Sequence, residues 1–532
     1  MTLKLDFNER ADSVPDWLKK FKPDSGCLWK YPDRSKIEAK IAEKFKMSTD
    51  NVFLSNGGDE SIELLFKSCQ LNKQSILIST PAFSQYTHQL GIWDIESIVI
   101  EGLPDLSIDV DLLKQNLKNN QWLIITRPNN PTGECLPNKI LLDLIESANQ
   151  KGANVFLDEA YVEFYTENSE INYAKEYDNV ISLRTFSKAF GLAGARIGYL
   201  MGHADLIAEF KKLAMPFNVN QLSLQLADNA LSNMDEMKTY CATIAKNRDE
   251  IYALLKSFSL DVYNGKGNFL LFKVNGQKKQ LLKSYLLKND IQIKTKVDGL
   301  ADCVRITIPV NIEPLKKALT AVFKPEILGF DMDGVLIDTS QSYDASIIKT
   351  VEFFTKQEIT LVEITSLREK GGFNNDWDLT QELIQQAGFT VWSTNVVNKF
   401  QEYYNKFKSH EINLLEQSMA AKLFNNDCTS AVITGRPKIE ALSGVKQLKI
   451  NPDYIISADD VEQQKPSPEG INWLKDKTGK DSMWFCGDTV DDMQAGKAAN
   501  CICIGIGDNV DNLNQAGADI VLNNINEISE LL

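Results

Sequence analysis

The sequence predicts an α/β protein built as two consecutive open-sheet units. Three observations carry that prediction. Short apolar runs alternate with longer helical patterns over most of the 532 residues. The runs form two series, separated by an amphipathic stretch that stops at a proline. In both series polar residues follow directly on the apolar run, where open α/β sheets bind their ligands.

The first series contains Ile76–Ile78, Leu123–Thr126, Val155–Leu157 and Val180–Leu183. The second contains Ile327–Phe330, Ala431–Ile433, Trp484–Cys486 and Ile502–Ile504. Between them lie the helical stretch Leu315–Phe323 and then Lys324-Pro325-Glu326, where the junction is placed. Length alone suggests three or four domains.

Composition removes several classes. Apolar residues make up 43% and charged residues 24%, ordinary for a soluble globular chain. A net charge of −15 reads as a solvated acidic surface and argues against nucleic acid. Residues Met1 to Asp12 are acidic and lack an apolar core, unlike a signal peptide. No uncharged apolar stretch is long enough to span a membrane. The nine cysteines are scattered without a C-x-x-C, which fits reduced thiols in a cytoplasmic protein. Cys501 and Cys503 share a strand face and read as core. His88, His203 and His410 are isolated, so zinc sites and histidine-based triads are poor candidates.

The first series ends in residues suited to pyridoxal-phosphate chemistry. Arg127-Pro128-Asn129-Asn130-Pro131-Thr132-Gly133, Asp158-Glu159-Ala160-Tyr161 and Thr185-Phe186-Ser187-Lys188 each follow a run. Such chemistry needs a lysine amine for a Schiff base and a carboxylate facing the pyridine nitrogen. Lys188 and Asp158 supply them. Thr185, Ser187 and Arg196 offer two hydroxyls and a guanidinium to the cofactor phosphate. Asn56-Gly57-Gly58-Asp59-Glu60-Ser61 opens a helical stretch whose N-terminal amides suit the same phosphate. Alone, each motif reads as a turn or a surface lysine; their joint order is the signal.

Residues 1–324 resemble the histidinol-phosphate aminotransferase family, within the fold-type I pyridoxal-phosphate enzymes. The resemblance rests on Asn8-Glu9, Tyr31-Pro32, Gly58-Asp59-Glu60, Thr80-Pro81-Ala82-Phe83 and the motifs above. It implies a large mixed-sheet domain (about 30–220). A small α+β domain would combine the N-terminal arm with about 221–324. It also implies that Phe83 stacks on the pyridine ring, that Asn130 and Tyr161 contact the cofactor's 3-oxygen, and that Arg305 clamps the substrate carboxylate. Tyr31 would reach the cofactor phosphate of a neighbouring subunit, so a homodimer is implied. The departures lie on the substrate side. Arg10-Ala11-Asp12 replaces a segment that carries an aromatic, Lys294 stands where the family has a second arginine, and Pro309-Val310 replaces G-T.

The second series ends in acids. Asp331-Met332-Asp333-Gly334 follows its first run: one carboxylate to attack phosphorus and a second, two residues on, to protonate the leaving alcohol and later activate water. Alone, D-x-D-G is equally a turn or a calcium loop. Gly487-Asp488-Thr489-Val490-Asp491-Asp492 adds the acids an octahedral Mg²⁺ would need. Thr434 and Lys465 can neutralise a phosphoryl group.

Residues 326–532 resemble the haloacid dehalogenase superfamily, with a Rossmann-like domain and all four motifs. The resemblance implies Asp331 as nucleophile, Asp333 as general acid/base, and Thr434 and Lys465 as phosphate ligands. Mg²⁺ would be held by Asp331, Asp333 (through its carbonyl), Asp488 and Asp492, with Asp491 as the alternative to the last. Because Asp333 is present, a phosphatase is expected rather than a dehalogenase. The helical stretch of about 340–425 would be a cap; Gly371–Trp377 within it reads as a substrate-contacting loop or a plain connection.

The domain order suggests consecutive steps of histidine biosynthesis: transamination to histidinol phosphate, then removal of its phosphate. The phosphatase half lacks the Cys/His-rich zinc loop of one histidinol-phosphatase type. Three other readings remain open: an aminotransferase for another amino acid joined to an unrelated phosphatase, a pyridoxal-phosphate decarboxylase, and a catalytically silent phosphate-sensing module. The partners expected are amino acids, 2-oxo acids and phosphate esters.

Overall fold

All eight apolar runs are strands in the structure, a computed structural model that describes residues 2–165, 170–368, 372–373, 375–425 and 427–532. The chain divides into two compact units: Met1–Val274 with Asp290–Lys316, and Asn275–Asn289 with Lys317–Leu532.

The first unit is organised by a seven-stranded sheet. Its order is Val52–Ser55, Gly198–Gly202, Val180–Thr185, Asn154–Asp158, Gln121–Thr126, Ser75–Thr80, Ser97–Glu101. Strand Gly198–Gly202 runs antiparallel to both neighbours and the remaining pairs are parallel. Gln121–Thr126 and Val180–Thr185 are buried at every position, which is why they read as continuous apolar runs rather than alternating ones. Helix Gly57–Asn72 packs Ile62, Leu65, Phe66 and Cys69 into the same core as Phe53, Trp122 and Phe156. Its first turn carries Asp59 and Glu60, favourable at the positive end of the helix dipole. A smaller antiparallel sheet pairs Phe269–Lys273 with Cys303–Thr307, and the arm strand Leu3–Leu5 pairs in parallel with Ile291–Ile293. These two pairings bring the arm and Arg305 together.

The second unit has an all-parallel sheet of six strands. Its order is Tyr454–Ile456, Thr429–Ile433, Ile327–Phe330, Met483–Gly487, Ile502–Ile506, Ile520–Leu522. In chain order this is 3-2-1-4-5-6, the doubly wound arrangement with its ligand crevice where strand order reverses. Asp331 directly follows the first strand, at that crevice. Cys501 and Cys503 are buried in this sheet's core, as expected.

After the first strand the chain leaves through Ile337–Asp338, which pairs antiparallel with the returning Ile412–Asn413. Between them lie helices Ala345–Thr355, Leu361–Arg368, Asp376–Gln386 and Ser393–Phe407. Their own core includes Ile347, Leu379, Val396 and Phe400. The helical insertion expected from the sequence is thus present. Helix Gln417–Phe424 comes after the returning strand, and Phe424 packs on Phe330 of the main sheet with ring centroids 5.2 Å apart. Among the described residues, no helix is long and apolar enough to cross a membrane.

Candidate active sites

The first site is a cavity of about 390 Å³ at the carboxyl ends of the seven-stranded sheet. Asp158 ends its strand there and is buried. Its Oδ2 accepts from the Tyr86 hydroxyl at 2.8 Å and its Oδ1 from the Ala160 amide at 3.0 Å. Lys188 Nζ donates to the Phe7 carbonyl at 2.9 Å and lies 5.7 Å from the centre of the Tyr161 ring. The Tyr161 hydroxyl accepts from Asn8 Nδ2 at 3.1 Å. Arg305 donates to Asn130 Oδ1 at 2.5 Å and to the Asp6 carbonyl at 2.6 Å, while its Nε is buried without a hydrogen-bond partner. Phe83 and Gly58 also line the cavity.

One end of this cavity is built for an anion. Thr185 Oγ1 donates to Ser187 Oγ at 2.9 Å, and Arg196 pairs with Asp59 at 2.5 Å. Helix Gly57–Asn72 begins beside them. Gly57 has φ +78°, and a Cβ there would lie 2.5 Å from the Arg196 guanidinium, so only glycine lets the arginine approach the helix N-terminus.

The second site is also a cavity of about 390 Å³, between the sheet crevice and the helical insertion. Asp331, Asp488 and Asp492 gather there with carboxylate oxygens within 4.8 Å of one another. Lys465 Nζ donates to Asp331 Oδ1 and to Asp492 Oδ1, each at 2.5 Å. Burial pushes Asp331 up to about 7 against the pull of Lys465, and pushes Asp488 well above the usual carboxylate range beside Asp492 and Asp331. Asp488 Oδ1 is buried without a hydrogen-bond partner. Gly334 has φ +73°, and a Cβ there would stand 2.0 Å from Asp488 Oδ2. Asp333 lines the cavity and is held by Arg436. Thr434 is buried, its Oγ1 accepting from the Arg436 amide at 3.1 Å.

The aminotransferase class I and II family model matches residues 2–322, more than half of the chain. The chain belongs to this family. A haloacid dehalogenase-like hydrolase model matches residues 328–506, so a hydrolase-type domain follows the aminotransferase domain. The histidinol-phosphate aminotransferase of Christiangramia forsetii is 31% identical over 310 residues, 57% of this chain and 87% of that protein. The Pyrococcus furiosus histidinol-phosphate aminotransferase is 31% identical over 309 residues, with the same two coverages. Among solved structures, the Clostridium acetobutylicum histidinol-phosphate aminotransferase is 25% identical with a TM-score of 0.55, covering 60% of this chain and 98% of that one. The Sinorhizobium meliloti histidinol-phosphate aminotransferase in complex with pyridoxal-5'-phosphate has the same fold, at 21% identity and a TM-score of 0.53, over 61% and 90% of the two chains. The fold class expected from the sequence stands in both parts.

Within the aminotransferase cavity, the structure brings together Gly58, Asp59, Phe83, Asn130, Asp158, Tyr161, Thr185, Ser187, Lys188, Arg196, Lys294 and Arg305. Tyr31 does not line its own chain's cavity; it is 80% exposed and stacks on Phe217 at 4.4 Å. The residues fit pyridoxal phosphate: a carboxylate at one wall, a lysine amine, an aromatic face, and an anion cup of guanidinium, two hydroxyls and a helix N-terminus. Arg10 does not line this cavity; its guanidinium lies 3.8 Å from the Tyr240 ring centre and 3.7 Å from Glu236. Phe7 lines the cavity, and its ring lies 5.8 Å from Lys294 Nζ. Phe7 and Tyr86 were missed by sequence reasoning. Tyr86 has a weak signal, three residues after Phe83 on one helix face; Phe7 has none, because its role comes from a backbone carbonyl.

In the hydrolase domain Asp491 and Asp492 part company. Asp492 joins the acid cluster, whereas the Asp491 carboxylate accepts from the Gly372 amide at 2.9 and 3.0 Å. Of the loop singled out in the sequence, Phe373, Asn375, Asp376 and Trp377 line the cavity; Gly371 and Asn374 lie outside the described residues. The crowded acids and the partnerless Asp488 oxygen fit a divalent cation with oxygen ligands.

Asp158 supplies a pH test. Burial raises its pKa to about 6, from about 3.9 for an unfolded aspartate. The folded state therefore binds more protons than the unfolded state between those values, and stability falls as pH rises through that window. Cofactor-free protein should lose about 2–3 kcal/mol from this group between pH 4 and pH 6. Denaturant unfolding of Asp158→Asn should lack that component, and identical pH slopes in parent and variant would contradict it.

Proposed function

We propose that this chain catalyses two consecutive reactions, a pyridoxal-phosphate-dependent transamination giving histidinol phosphate and the Mg²⁺-dependent hydrolysis of that ester to histidinol. The observation that carries the proposal is that one chain holds a lysine–aspartate–arginine cavity and, after Pro325, an aspartate cavity walled by carboxylates. We also propose the functional boundary at Pro325, between the two family matches at residues 2–322 and 328–506.

When bound, pyridoxal phosphate supplies an electron sink for the substrate's α-carbon. The chain supplies the rest. Asp158 holds the proton on the ring nitrogen, and the Tyr86 hydroxyl keeps that carboxylate oriented. Lys188 Nζ would anchor the cofactor and act as the base that takes the proton from the substrate's α-carbon. Asn130 and Tyr161 would hold the cofactor's 3-oxygen, Phe83 its ring, and Thr185, Ser187, Arg196 and the Gly58-Asp59 turn its phosphate. Arg305 takes the substrate carboxylate in a bidentate grip, its partnerless Nε being free for that purpose. Lys294, bridged to Arg305 along the backbone and lining the same cavity, would meet a phosphate at the substrate's far end. The exposed aromatic pair Tyr31 and Phe217 supports a homodimer in which Tyr31 completes the partner's phosphate cup.

In the second site, Asp331 attacks phosphorus and Asp333 gives its proton to the departing alcohol; Asp333 then takes a proton from the water that cleaves the aspartyl phosphate. Thr434 and Lys465 bind the phosphoryl oxygens. Asp331, Asp488, Asp492 and the Asp333 carbonyl would hold Mg²⁺, which offsets the charge of the transferring group. Asp338, Glu440 and Asp459 line the cavity together with Trp377, a surface suited to a leaving alcohol that carries an ammonium and an imidazole. The relatives named histidinol-phosphate aminotransferases support the same pathway for the first site. Nine cysteines scattered without a C-x-x-C fit a reducing compartment, so we place the protein in the cytoplasm.

Chelation tests the division of labour. Removing Mg²⁺ with a chelator should stop phosphate release from histidinol phosphate and leave glutamate-dependent transamination unchanged. Equal loss of both would contradict separate chemistries.

A further inference from the structure

Arg436 stands at the centre of a buried ionic triad that the two-step hydrolysis does not by itself require. It follows strand Thr429–Ile433 and is only 2% exposed. Its Nε donates to Asp333 Oδ1 at 2.8 Å, and Nη2 lies 2.6 Å from the same oxygen. Its other side faces Glu411, with Nη1 donating to Oε2 at 3.3 Å and Nη2 3.2 Å from Oε1. The guanidinium also lies 5.1 Å from the Tyr343 ring centre.

The position of Glu411 gives the triad its meaning. Its side chain is 3% exposed and it directly precedes Ile412–Asn413, the strand by which the chain returns from the helical insertion. That strand pairs with Ile337–Asp338, a few residues beyond Asp333. Ser342 and Tyr404, from the insertion side, donate to Glu411 at 3.1 and 3.3 Å. The hinge of the insertion and the Asp333 carboxylate are therefore joined through one guanidinium. Both of its contacts to Asp333 fall on Oδ1, and the Asp333 side chain still lines the cavity at 31% exposure. Fixing Oδ1 fixes the direction of Oδ2.

We propose that Arg436 is a positioning residue that orients Asp333 Oδ2 toward the leaving oxygen of the phosphate ester, with Glu411 holding Arg436 in place from the hinge. The proposal rests on the reading of Asp333 as the proton donor. A guanidinium fork suits this role because it holds two carboxylates in fixed directions; a lysine holds only charge.

Proton donation matters most when the leaving group is a strong base, so two probe esters of similar size separate orientation from folding. p-Nitrophenyl phosphate releases a stable phenolate that needs little protonation; benzyl phosphate releases an alkoxide that needs it. The assay uses the full-length chain with Mg²⁺. Asp333→Asn should lower kcat/KM, which reports the steps up to alcohol departure, by about 10²-fold or more for benzyl phosphate relative to p-nitrophenyl phosphate. Arg436→Lys and Glu411→Gln should shift that ratio in the same direction, by about 10-fold for Arg436→Lys. Circular dichroism and thermal unfolding show whether each variant is folded, and Glu411→Gln decides the matter if Arg436→Lys is unstable. If Asp333→Asn shifts the ratio but Arg436→Lys and Glu411→Gln lower both esters equally, the positioning role is overturned. If Asp333→Asn itself leaves the ratio unchanged, the proton-donor reading fails first.

Discussion

Lys188→Ala should reduce transamination by about 10³-fold or more while leaving phosphate-ester hydrolysis within about twofold of the parent. Lys188 lies in the cavity with Asp158, Tyr161 and Arg305, and its Nζ is held by a backbone carbonyl rather than a carboxylate. Without that amine, neither the attachment of the cofactor nor the proton transfer has a group to perform it. The variant should also lose the near-visible absorption band of protein-linked cofactor. The same cavity holds Lys294, beside Phe7. An unchanged band in Lys188→Ala, lost only in Lys294→Ala, would move the role to the second lysine.

Asp331→Asn should abolish phosphate release, by about 10⁴-fold or more, with transamination intact. The substitution keeps the shape and removes the nucleophile. It should cost little stability in metal-free protein, because Lys465 retains Asp492 as its partner and one of several crowded buried acids is gone. Substantial phosphate release by the variant would contradict the assignment of Asp331 as nucleophile. Residual release confined to one ester would point to a contaminating phosphatase and should vanish on further purification.

Much of this was legible in the sequence because both sheets are mostly parallel. Central parallel strands are buried on both faces, so they appear as unbroken apolar runs such as Val180–Leu183 and Ile327–Phe330. The candidate catalytic residues follow such runs within a few positions, so Asp158, Lys188, Asp331 and Asp488 could be picked out by adjacency. The edge strands Ser97–Glu101 and Tyr454–Ile456 are half-exposed and carry a weaker pattern. Contacts made across long stretches of chain left no local signal. The Phe7 carbonyl reaching Lys188, Asn8 reaching Tyr161, and Glu411 reaching Arg436 belong to this class. Arg10 stacking on Tyr240 belongs to it as well.

The substrate-facing residues follow the same physical logic. Cofactor-facing groups are fixed by the chemistry they must perform, whereas Lys294, in the position where the resemblance implies an arginine, offers charge without the bidentate fork. Asp338, Glu440, Asp459 and Trp377 line the second cavity and support the cationic alcohol proposed as its leaving group.

The central claim is that one chain runs transamination and ester hydrolysis in sequence. It is tested most directly by giving the purified protein imidazole-acetol phosphate, glutamate, pyridoxal phosphate and Mg²⁺, and following 2-oxoglutarate, histidinol phosphate, histidinol and inorganic phosphate together. The expected result is transient histidinol phosphate, then histidinol and phosphate accumulating in equal amounts and matching 2-oxoglutarate. Formation of 2-oxoglutarate without phosphate, or of neither product, would contradict it.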